Sequence, residues 1–510
     1  MAEDLMTASV PVVKDIEHVY YPDDLPREQA RFTHLLNRFS EVYNNKAEFV
    51  ARSPGRVNII GEHVDHQLYE VLPMAIASDV LVAVSKTKGS KISIANLDDS
   101  KFTAGEFDIP ANGQINIDSS TLQWTNYFKA GFRGAVKLLQ EENSRFKPCG
   151  MNVLVNGSVP PGAGVSSSAA FVCASALAVL RANRDDDISK RELTELAIVS
   201  ERAVGVNSGG MDQSASVFSV QGDAVSVSFS PKLHVEAVHF PETEPPFTFM
   251  IANSFVTANK HETGPIHYNL RVVECTLAAE WLAKKHGVTL PNDAGASGKS
   301  LRGFQVAYFK GPEDSKKDHR QQVQEMLQIT EAELTNKEGY TREEISSVLG
   351  ITVPELEEQY MTKFPVRAER FLLRQRAQHV YSEALRVLQF KDLLLAPASH
   401  DDPKNISLLP KLGALMNDTQ LSCRDHYMNS CPELDQMCEI AREAGAFGSR
   451  VTGAGWGGCS VHLVPKAKVE AIRQAWHDKY YQPRDPGMTM QKMEEVGAVV
   501  VSEPGHGSMM

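Results

Sequence analysis

The sequence lacks long hydrophobic runs and any excess of positive charge. No stretch approaches the ~18 uninterrupted apolar residues that a membrane span needs, and the opening letters MAEDLMTASVPVVKD lack the basic and then apolar pattern of a signal peptide. The formal net charge is -12, which argues against general nucleic-acid binding because attraction to phosphates needs excess Lys and Arg. We therefore expect a cytoplasmic protein that acts on neither membranes nor nucleic acid.

Cysteine is also scarce. The chain has 7 cysteines among 510 residues, and none of them forms a CxxC pair. Neither a disulfide framework nor a zinc site follows, so buried, reduced thiols are expected. A hydrophobic content of 42% and a charged content of 23% are ordinary for a globular protein. The length allows about two to four domains with real cores.

Hydrophobic periodicity predicts the main helices and strands. Helices are predicted over 27–43, 166–182, 366–395 and 429–446, and strands over 79–84, 151–155 and 499–501. The last helix is expected to be delimited by an N-cap, a first-turn proline and two terminal glycines, which are Ser430, Pro432, Gly445 and Gly448. Residues 289–347 differ in composition and are interpreted as an insertion on the surface of a domain, partly mobile and partly helical.

Residues 160–170, PPGAGVSSSAA, form a loop suited to phosphate, and we call them the phosphate loop. Gly162 and Gly164 free the backbone to approach a ligand closely. Three serines then open a helix, namely Ser166, Ser167 and Ser168. The first turn of such a helix offers unpaired N–H groups and the positive end of the dipole, and the hydroxyls can contact phosphate oxygens or a metal ion. The alternative is a capped helix after a turn.

Residues 55–66, GRVNIIGEHVDH, crowd hydrogen-bonding side chains together, and we call them the signature segment. These side chains are Arg56, Glu62, His63 and Asp65. Carboxylates and an imidazole suit sugar hydroxyls, which need both acceptors and donors. Arg56 could instead stabilise negative charge during phosphoryl transfer. The alternative is a solvated loop.

Residues 201–213, ERAVGVNSGGMDQ, contribute two more carboxylates. Glu201 ends a helical pattern, and Asp212 follows a pair of glycines that allows a tight turn. One carboxylate could hold Mg²⁺ and the other could accept a proton from a hydroxyl group. The spacing alone is weak evidence for these roles.

Two other segments resemble nucleotide motifs by spelling only. Residues 450–459, RVTGAGWGGC, contain GxGxxG, but a strand-like segment follows where the dinucleotide fingerprint needs a helix. We call these residues the glycine loop and expect a turn that closes over a ligand. Lys299 and Ser300 resemble the end of a Walker A loop, but Asp293 stands where its first glycine is required.

Taken together, these segments resemble the GHMP kinases, and within them the galactokinases. GRVNIIGEHVDH resembles the galactokinase signature, PPGAGVSSSAA the family's phosphate loop and VTGAGWGGC its third motif. The order and wide separation of the three also match. NSGGMDQSASVF, RVVEC, HVYSEALRVLQF and SCPELDQ resemble the branch that holds fungal galactokinases and mammalian N-acetylgalactosamine kinase. The resemblance runs from about Phe49 to the final predicted strand.

The resemblance implies a two-domain α/β (α+β) fold. Residues 1–240 would carry the galactose-binding signature and a kinase domain that resembles ribosomal protein S5. Residues 241–510 would form a ferredoxin-like C-terminal GHMP domain, interrupted around 289–347. The active site would lie between the two domains.

The resemblance also implies an ATP-dependent phosphorylation of the anomeric C1 hydroxyl of α-D-galactose to galactose 1-phosphate, in galactose catabolism by the Leloir pathway. Asp212 would be the catalytic base, and Arg56 would orient it and stabilise the transferring phosphoryl group. The sugar would be held by Arg56, Glu62, His63, Asp65, Asp212 and Tyr268. The ATP triphosphate would lie along Gly162, Gly164, Ser166, Ser167 and Ser168, with Asn259 and Lys260 near the nucleotide. Mg²⁺ would be coordinated by Ser168 and Glu201.

The sequence departs from the family pattern at two positions and leaves two alternatives open. His66 stands where many relatives have Tyr, and Val165 replaces a usual Leu, so we expect altered affinity without loss of activity. The first alternative is an N-acetylgalactosamine kinase, which the motifs do not separate from a galactokinase. The second is a galactose sensor that engages a transcriptional repressor. The intact step from Ser168 to Ala169 argues that catalysis survives, which leaves a dual role open.

Overall fold

The computed structural model describes residues 4–118, 123–204, 209–257, 263–311 and 317–510. Within those ranges, no helix combines the length and the hydropathy that a bilayer crossing requires. The described chain forms one five-stranded sheet, one four-stranded sheet and a two-stranded sheet, with helices around them.

The five-stranded sheet lies in the first third of the chain. Its strands are β1 (Phe49–Ile60), β2 (Leu72–Thr87), β3 (Lys91–Asn96), β4 (Gly105–Asp108) and β5 (Gly150–Gly157). They lie in the order β1-β2-β5-β3-β4, and every pairing is antiparallel except that of β3 with β5. Its helices are α1 (Leu25–Tyr43), α2 (Thr125–Glu142), α3 (Ser167–Asn183), α4 (Lys190–Glu201) and α5 (Met211–Phe218).

Alternation along β2 explains how this sheet buries both faces. Val82 and Val84 belong to the main core on the face covered by α3. Leu81 and Ala83 point to the opposite face and pack with residues of α1, because successive side chains of a strand alternate. Helix α3 is almost entirely apolar because it lies between the sheet and helices α2 and α4. Helix α3 is therefore held against one face of the sheet.

The chain after α5 carries the other sheets and most of the helices. The two-stranded sheet is β6 (Asp223–Ser228) with β7 (His234–His239). The antiparallel sheet β11-β8-β10-β9 has strands β8 (Phe247–Asn253), β9 (Gly448–Val451), β10 (Cys459–Pro465) and β11 (Val499–Ser502). The helices are α6 (Tyr268–Lys285), α7 (Leu301–Tyr308), α8 (His319–Glu333), α9 (Arg342–Leu349), α10 (Val353–Met361), α11 (Leu373–Leu395), α12 (Leu408–Ser422), α13 (Pro432–Ala444), α14 (Val469–Trp476), α15 (Gln482–Arg484) and α16 (Met490–Glu495).

Most of the predicted elements are confirmed. The predicted helices over 27–43 and 166–182 are α1 and α3, and the predicted strands are parts of β2, β5 and β11. The helix predicted from 366 begins only at Leu373. Phe371 lies in an isolated β-bridge instead, because it exchanges backbone hydrogen bonds with Tyr340, at 2.9 Å in each direction.

Two of the four residues predicted to delimit α13 do so, and two do not. Pro432 is in the first turn and Gly445 closes the helix with a φ of 115°, as expected. Ser430 is not the N-cap, because that position is Cys431 and the Ser430 hydroxyl donates instead to Asp435 Oδ1 at 2.8 Å. Gly448 begins β9 and does not end the helix.

The segment interpreted as a surface insertion is packed more deeply than that interpretation implies. Among its described residues, Leu301, Phe304, Val323 and Met326 are fully buried in the main core. Helix α8 packs along α11. The helical part of the interpretation is confirmed, but the apolar faces of these helices belong to the core and not to a surface attachment.

The last residues of the chain return to the first sheet. Arg52 pairs with Met509, and Ala75 pairs with Gly505. Ser508 and Met509 are buried there. Residues 503–510 therefore pack on the five-stranded sheet, and the division of the chain at residue 240 stays a prediction.

Candidate active site

Arg56 joins the phosphate loop to the start of α5. Its Nη1 donates to the Gly164 carbonyl oxygen at 2.7 Å. Its Nε and Nη2 lie 2.8 and 2.6 Å from Asp212 Oδ1. Arg56 is buried, whereas 20% of the Asp212 side chain is exposed. An accessible carboxylate is thus fixed beside the phosphate loop by a buried cation.

The phosphate loop reaches α3 through three residues in the left-handed region. Gly162, Gly164 and Ser166 have φ values of 73, 77 and 62°. Ser166 is the N-cap but makes no capping bond, and among the described residues its buried Oγ has no hydrogen-bond partner. Ser167 and Ser168 form the first turn, where backbone N–H groups have no helical partner. This cradle of donors fits an anion.

Glu62 and His63 of the signature segment lie in a turn after β1. Glu62 forms an ion pair with Arg450 and accepts from the Gly453 backbone at 3.2 Å. His63 lies 2.8 Å from the Ala454 carbonyl oxygen, so Nε2 carries the proton and donates. These contacts place Glu62 and His63 against the glycine loop, and both are buried.

Asp65 lies close enough to Asp212 for their charges to interact. Its Oδ1 accepts from the His66 backbone at 2.8 Å. Burial, followed by the charge of Asp212, raises the pKa of Asp65 to about 6. Burial raises the pKa of Tyr268 well above its usual range, and the charges of Asp65 and Asp212 add to this effect. The Tyr268 ring centroid is 5.6 Å from that of His63. The predicted sugar-contacting residues therefore share one neighbourhood.

His66 and Val165 do not face this neighbourhood with free polar groups. His66 is buried, with Nε2 2.9 Å from the Tyr427 hydroxyl and Nδ1 2.9 Å from Gln67 Nε2. Val165 is buried, and its carbonyl oxygen accepts from the Arg56 backbone at 3.1 Å. Both residues that depart from the family pattern are thus buried and packed within the fold.

Glu201 lies at the end of α4, next to the start of α5. It is buried, and Gln213, the neighbour of Asp212, donates to its Oε2. Ser168 is on α3, which packs against both α4 and α5. Across the described ranges, no group of three or more His, Cys, Asp and Glu side chains is arranged to hold a metal ion. Asn259 and Lys260 lie outside the described residues.

Two glycines of the glycine loop are required by its contact with the phosphate loop. A Cβ atom on Gly453 would lie 2.1 Å from the Gly164 carbonyl oxygen, and one on Gly458 would lie 2.8 Å from that of Ala163. The strand β10 follows, as predicted, so the GxGxxG spelling is not a dinucleotide fingerprint. The Walker-like residues are also structural, since Lys299 pairs with Glu280.

Sequence reasoning missed the residues that hold the signature segment from the second half of the chain. Arg450 pairs with Glu62, and Glu383 on α11 accepts from the backbones of Gly61 and Glu62 at 2.8 and 2.9 Å. No local pattern marked them. Arg450 is the first residue of the glycine loop and Glu383 lies within the helix predicted over 366–395, but the sequence singles out neither.

Three family models match successive parts of the chain. They are the galactokinase galactose-binding signature at residues 37–86, the GHMP kinases N terminal domain at 126–220 and the GHMP kinases C terminal domain at 405–482. The fold agrees: the structure of Lactococcus lactis galactokinase complexed with galactose matches with a TM-score of 0.63 at 23% identity, over 94% of this chain and 99% of that one. Methanococcus jannaschii mevalonate kinase matches with a TM-score of 0.51 at 14% identity, over 90% and 98%. The chain therefore has the GHMP kinase fold, as predicted.

Similar sequences identify the family within the GHMP kinases. The galactokinase of Schizosaccharomyces pombe is 40% identical over 98% of both chains, and that of Saccharomyces cerevisiae is 40% identical over 96% of both. The galactokinase of Dictyostelium discoideum is 39% identical over 92% of this chain and 91% of its own. The chain belongs to the galactokinase family.

Proposed function

We propose that this enzyme transfers the γ-phosphoryl group of ATP to the anomeric C1 hydroxyl of galactose. The observation that supports this most directly is the Arg56 side chain, which bonds both the Asp212 carboxylate and the Gly164 carbonyl oxygen. It places a proton acceptor beside a loop built for phosphate. Phosphoryl transfer depends on such positioning and on neutralised charge more than on covalent chemistry.

In this proposal Asp212 is the catalytic base. Its partly exposed carboxylate accepts the proton of the C1 hydroxyl as that oxygen attacks the γ-phosphorus. Arg56 keeps the carboxylate oriented and places its own positive charge next to the developing negative charge. Because Arg56 is buried and held at both ends, little reorganisation accompanies the step.

The sugar would be held by the signature segment and α6. Glu62, His63, Asp65 and Tyr268 lie together and offer both acceptors and donors for hydroxyl groups. The Nε2–H of His63 is already used by Ala454. His63 would therefore meet the sugar through Nδ1 or its ring face, while the carboxylates supply the acceptors.

The phosphate loop would bind the ATP triphosphate through backbone N–H groups and hydroxyls. The loop lacks a lysine, so the start of α3 provides most of the positive potential. Ser168 and Glu201 are hard oxygen donors and fit Mg²⁺, which commonly takes one or two protein ligands together with substrate phosphates and water. Bound there, Mg²⁺ would neutralise charge on the phosphates. Asn259 and Lys260 are proposed near the nucleotide from the family resemblance.

Glu201→Gln should increase the Mg²⁺ concentration for half-maximal rate about 10-fold, because a neutral amide is a weaker ligand than a carboxylate. The KM for galactose should change less than about 2-fold. Glu195→Gln is the matched control, since Glu195 lies on the same helix but pairs with Arg191 at the surface. An Mg²⁺ requirement equal to that of the wild type would contradict the assignment.

The substrate is tested by an ADP-release assay over a panel of monosaccharides. We expect galactose to have the highest kcat/KM. A higher kcat/KM for N-acetylgalactosamine would replace the proposal with that kinase activity. If neither sugar led to ADP release, the proposal would be overturned. The comparisons give no support to a repressor partner, so the proposal covers the kinase alone.

A further inference from the structure

Helix α11 presents two buried polar side chains to the signature segment. His379 and Glu383 are four residues apart and therefore lie on one face of the helix. Both are fully buried. Glu383 Oε1 accepts from the backbone N–H groups of Gly61 and Glu62 at 2.8 and 2.9 Å, and His379 Nε2 lies 2.9 Å from the Glu62 carbonyl oxygen. Two side chains thus engage both backbone groups of Glu62.

The second oxygen of the Glu383 carboxylate is also held by hydrogen bonds. Its Oε2 accepts from Arg386 Nε at 2.7 Å and from Thr419 Oγ1 at 2.8 Å. Burial acts to raise the pKa of Glu383, but the charges of Arg386 and Arg450 and the bonded N–H groups outweigh it and lower the pKa to about 2. The carboxylate is therefore ionised at any working pH, and its hydrogen bonds to the backbone of Gly61 and Glu62 are charge-assisted.

The His379 ring is fixed in the same way. Its Nδ1 lies 2.9 Å from Ser422 Oγ. Burial lowers its pKa to about 3, so the ring is neutral. Because the Glu62 carbonyl oxygen can only accept, Nε2 carries the proton and Nδ1 accepts from Ser422.

The turn that these side chains hold has an unusual backbone. Gly61 has a φ of 102° and His63 a φ of 55°. A residue with a side chain rarely adopts the left-handed conformation, so surrounding contacts must maintain it at His63. The turn directs Glu62 toward Arg450 and His63 toward Ala454. Contacts from outside the turn to its peptide groups therefore help to keep this arrangement.

We propose that Glu383 and His379 are positioning residues for galactose recognition. They hold the peptide groups around Glu62 so that the side chains of the signature segment converge on the sugar. This inference rests on the proposed function, because the sugar that the turn recognises is taken to be galactose. It gives α11, which lies more than 300 positions away in the chain, a part in substrate selection.

The test uses Glu383→Asp, which keeps the charge beside Arg386 but shortens the reach to Gly61 and Glu62. We expect the KM for galactose and the galactose Kd, measured by calorimetry without nucleotide, to rise about 10-fold, since small displacements of binding groups are costly. The KM for ATP should change less than about 2-fold. Asp392→Glu is the matched control: it changes the reach of a carboxylate on the same helix by one methylene, but at a mostly exposed position where the partner is Arg320. The KM and the Kd for galactose should stay within about 2-fold of the wild type.

A second pair of variants covers the case in which Glu383→Asp does not fold. His379→Gln retains a donor for the Glu62 carbonyl oxygen, whereas His379→Leu does not. We expect near-normal galactose binding in the first and weaker binding in the second. Equal galactose constants within this pair, or wild-type galactose binding by a folded Glu383→Asp, would overturn the positioning role. If the wild type binds ATP but not galactose, the proposed function fails instead.

Discussion

Asp212→Asn should lower kcat about 10³-fold or more while galactose binding remains measurable. The amide cannot accept the hydroxyl proton, and general-base catalysis of this kind contributes about 10² to 10⁴ in rate. The asparagine Oδ1 can still accept from Arg56, so the geometry of the site should persist. The loss should therefore fall on kcat and not on the galactose Kd.

The measurement combines ADP release with calorimetric titration of galactose. Asp223→Asn is the matched control, because it is the same substitution on β6, where the partner of Asp223 is His239. We expect near-normal kinetics for the control. If Asp212→Asn turned over at a rate near that of the wild type, the assignment of the base would be wrong.

Asp79→Ala should lower the free energy of unfolding by about 3–5 kcal/mol, the usual cost of leaving one charge of a buried pair alone. Asp79 is fully buried on β2 and contacts Arg31 Nη1 at 2.6 Å, Arg52 Nε at 2.5 Å and the Tyr20 hydroxyl at 2.6 Å. Arg52 also donates to the carbonyl oxygens of residues 506 and 507. The variant should therefore loosen the returning end of the chain as well as the sheet.

The pH dependence of this contribution follows from the pKa of Asp79. Burial opposes the charged form, but the charges of Arg31 and Arg52 outweigh it and lower the pKa below its ordinary value of 3.8. The stabilisation is thus complete above that ordinary value and is lost as the pH falls through the lower folded-state pKa. Wild type and variant should converge in stability only in acid.

Urea denaturation followed by circular dichroism measures the difference. Asp99→Ala is the control, since Asp99 pairs with Arg38 at an exposed position, where such pairs contribute little. Its denaturation midpoint should match that of the wild type. A midpoint for Asp79→Ala equal to that of Asp99→Ala would show that the buried network does not stabilise the fold.

The phosphate loop and its helix could be predicted because their chemistry is local. Two glycines, three serines and a long apolar run specify a turn and a buried helix without reference to the rest of the chain, and α3 begins at Ser167 as this pattern requires. The start of α11 could not be predicted in the same way. Phe371 is held extended by Tyr340, a partner 31 positions earlier that no local pattern reveals.

The assignment of residues to the site stays a prediction from the family resemblance, and most contacts between those residues could not be predicted. Family resemblance assigned Arg56 and Asp212 to one site, and the structure places them in direct contact. The partner of Glu62 was not foreseen, because Arg450 is 388 positions away. Glu383 was not foreseen because an acid on a helix usually faces water, and only the folded structure shows that this one is buried against backbone N–H groups.

The contact between the glycine loop and the phosphate loop has a consequence for motion. One loop joins β9 to β10 of the second sheet and the other leads from β5 of the first sheet to α3. At Gly453 and Gly164 they meet backbone to backbone, with no side chain that could rearrange or slide. Any relative movement of the two loops would therefore change this backbone contact directly, because no side chain lies between them to take up the change.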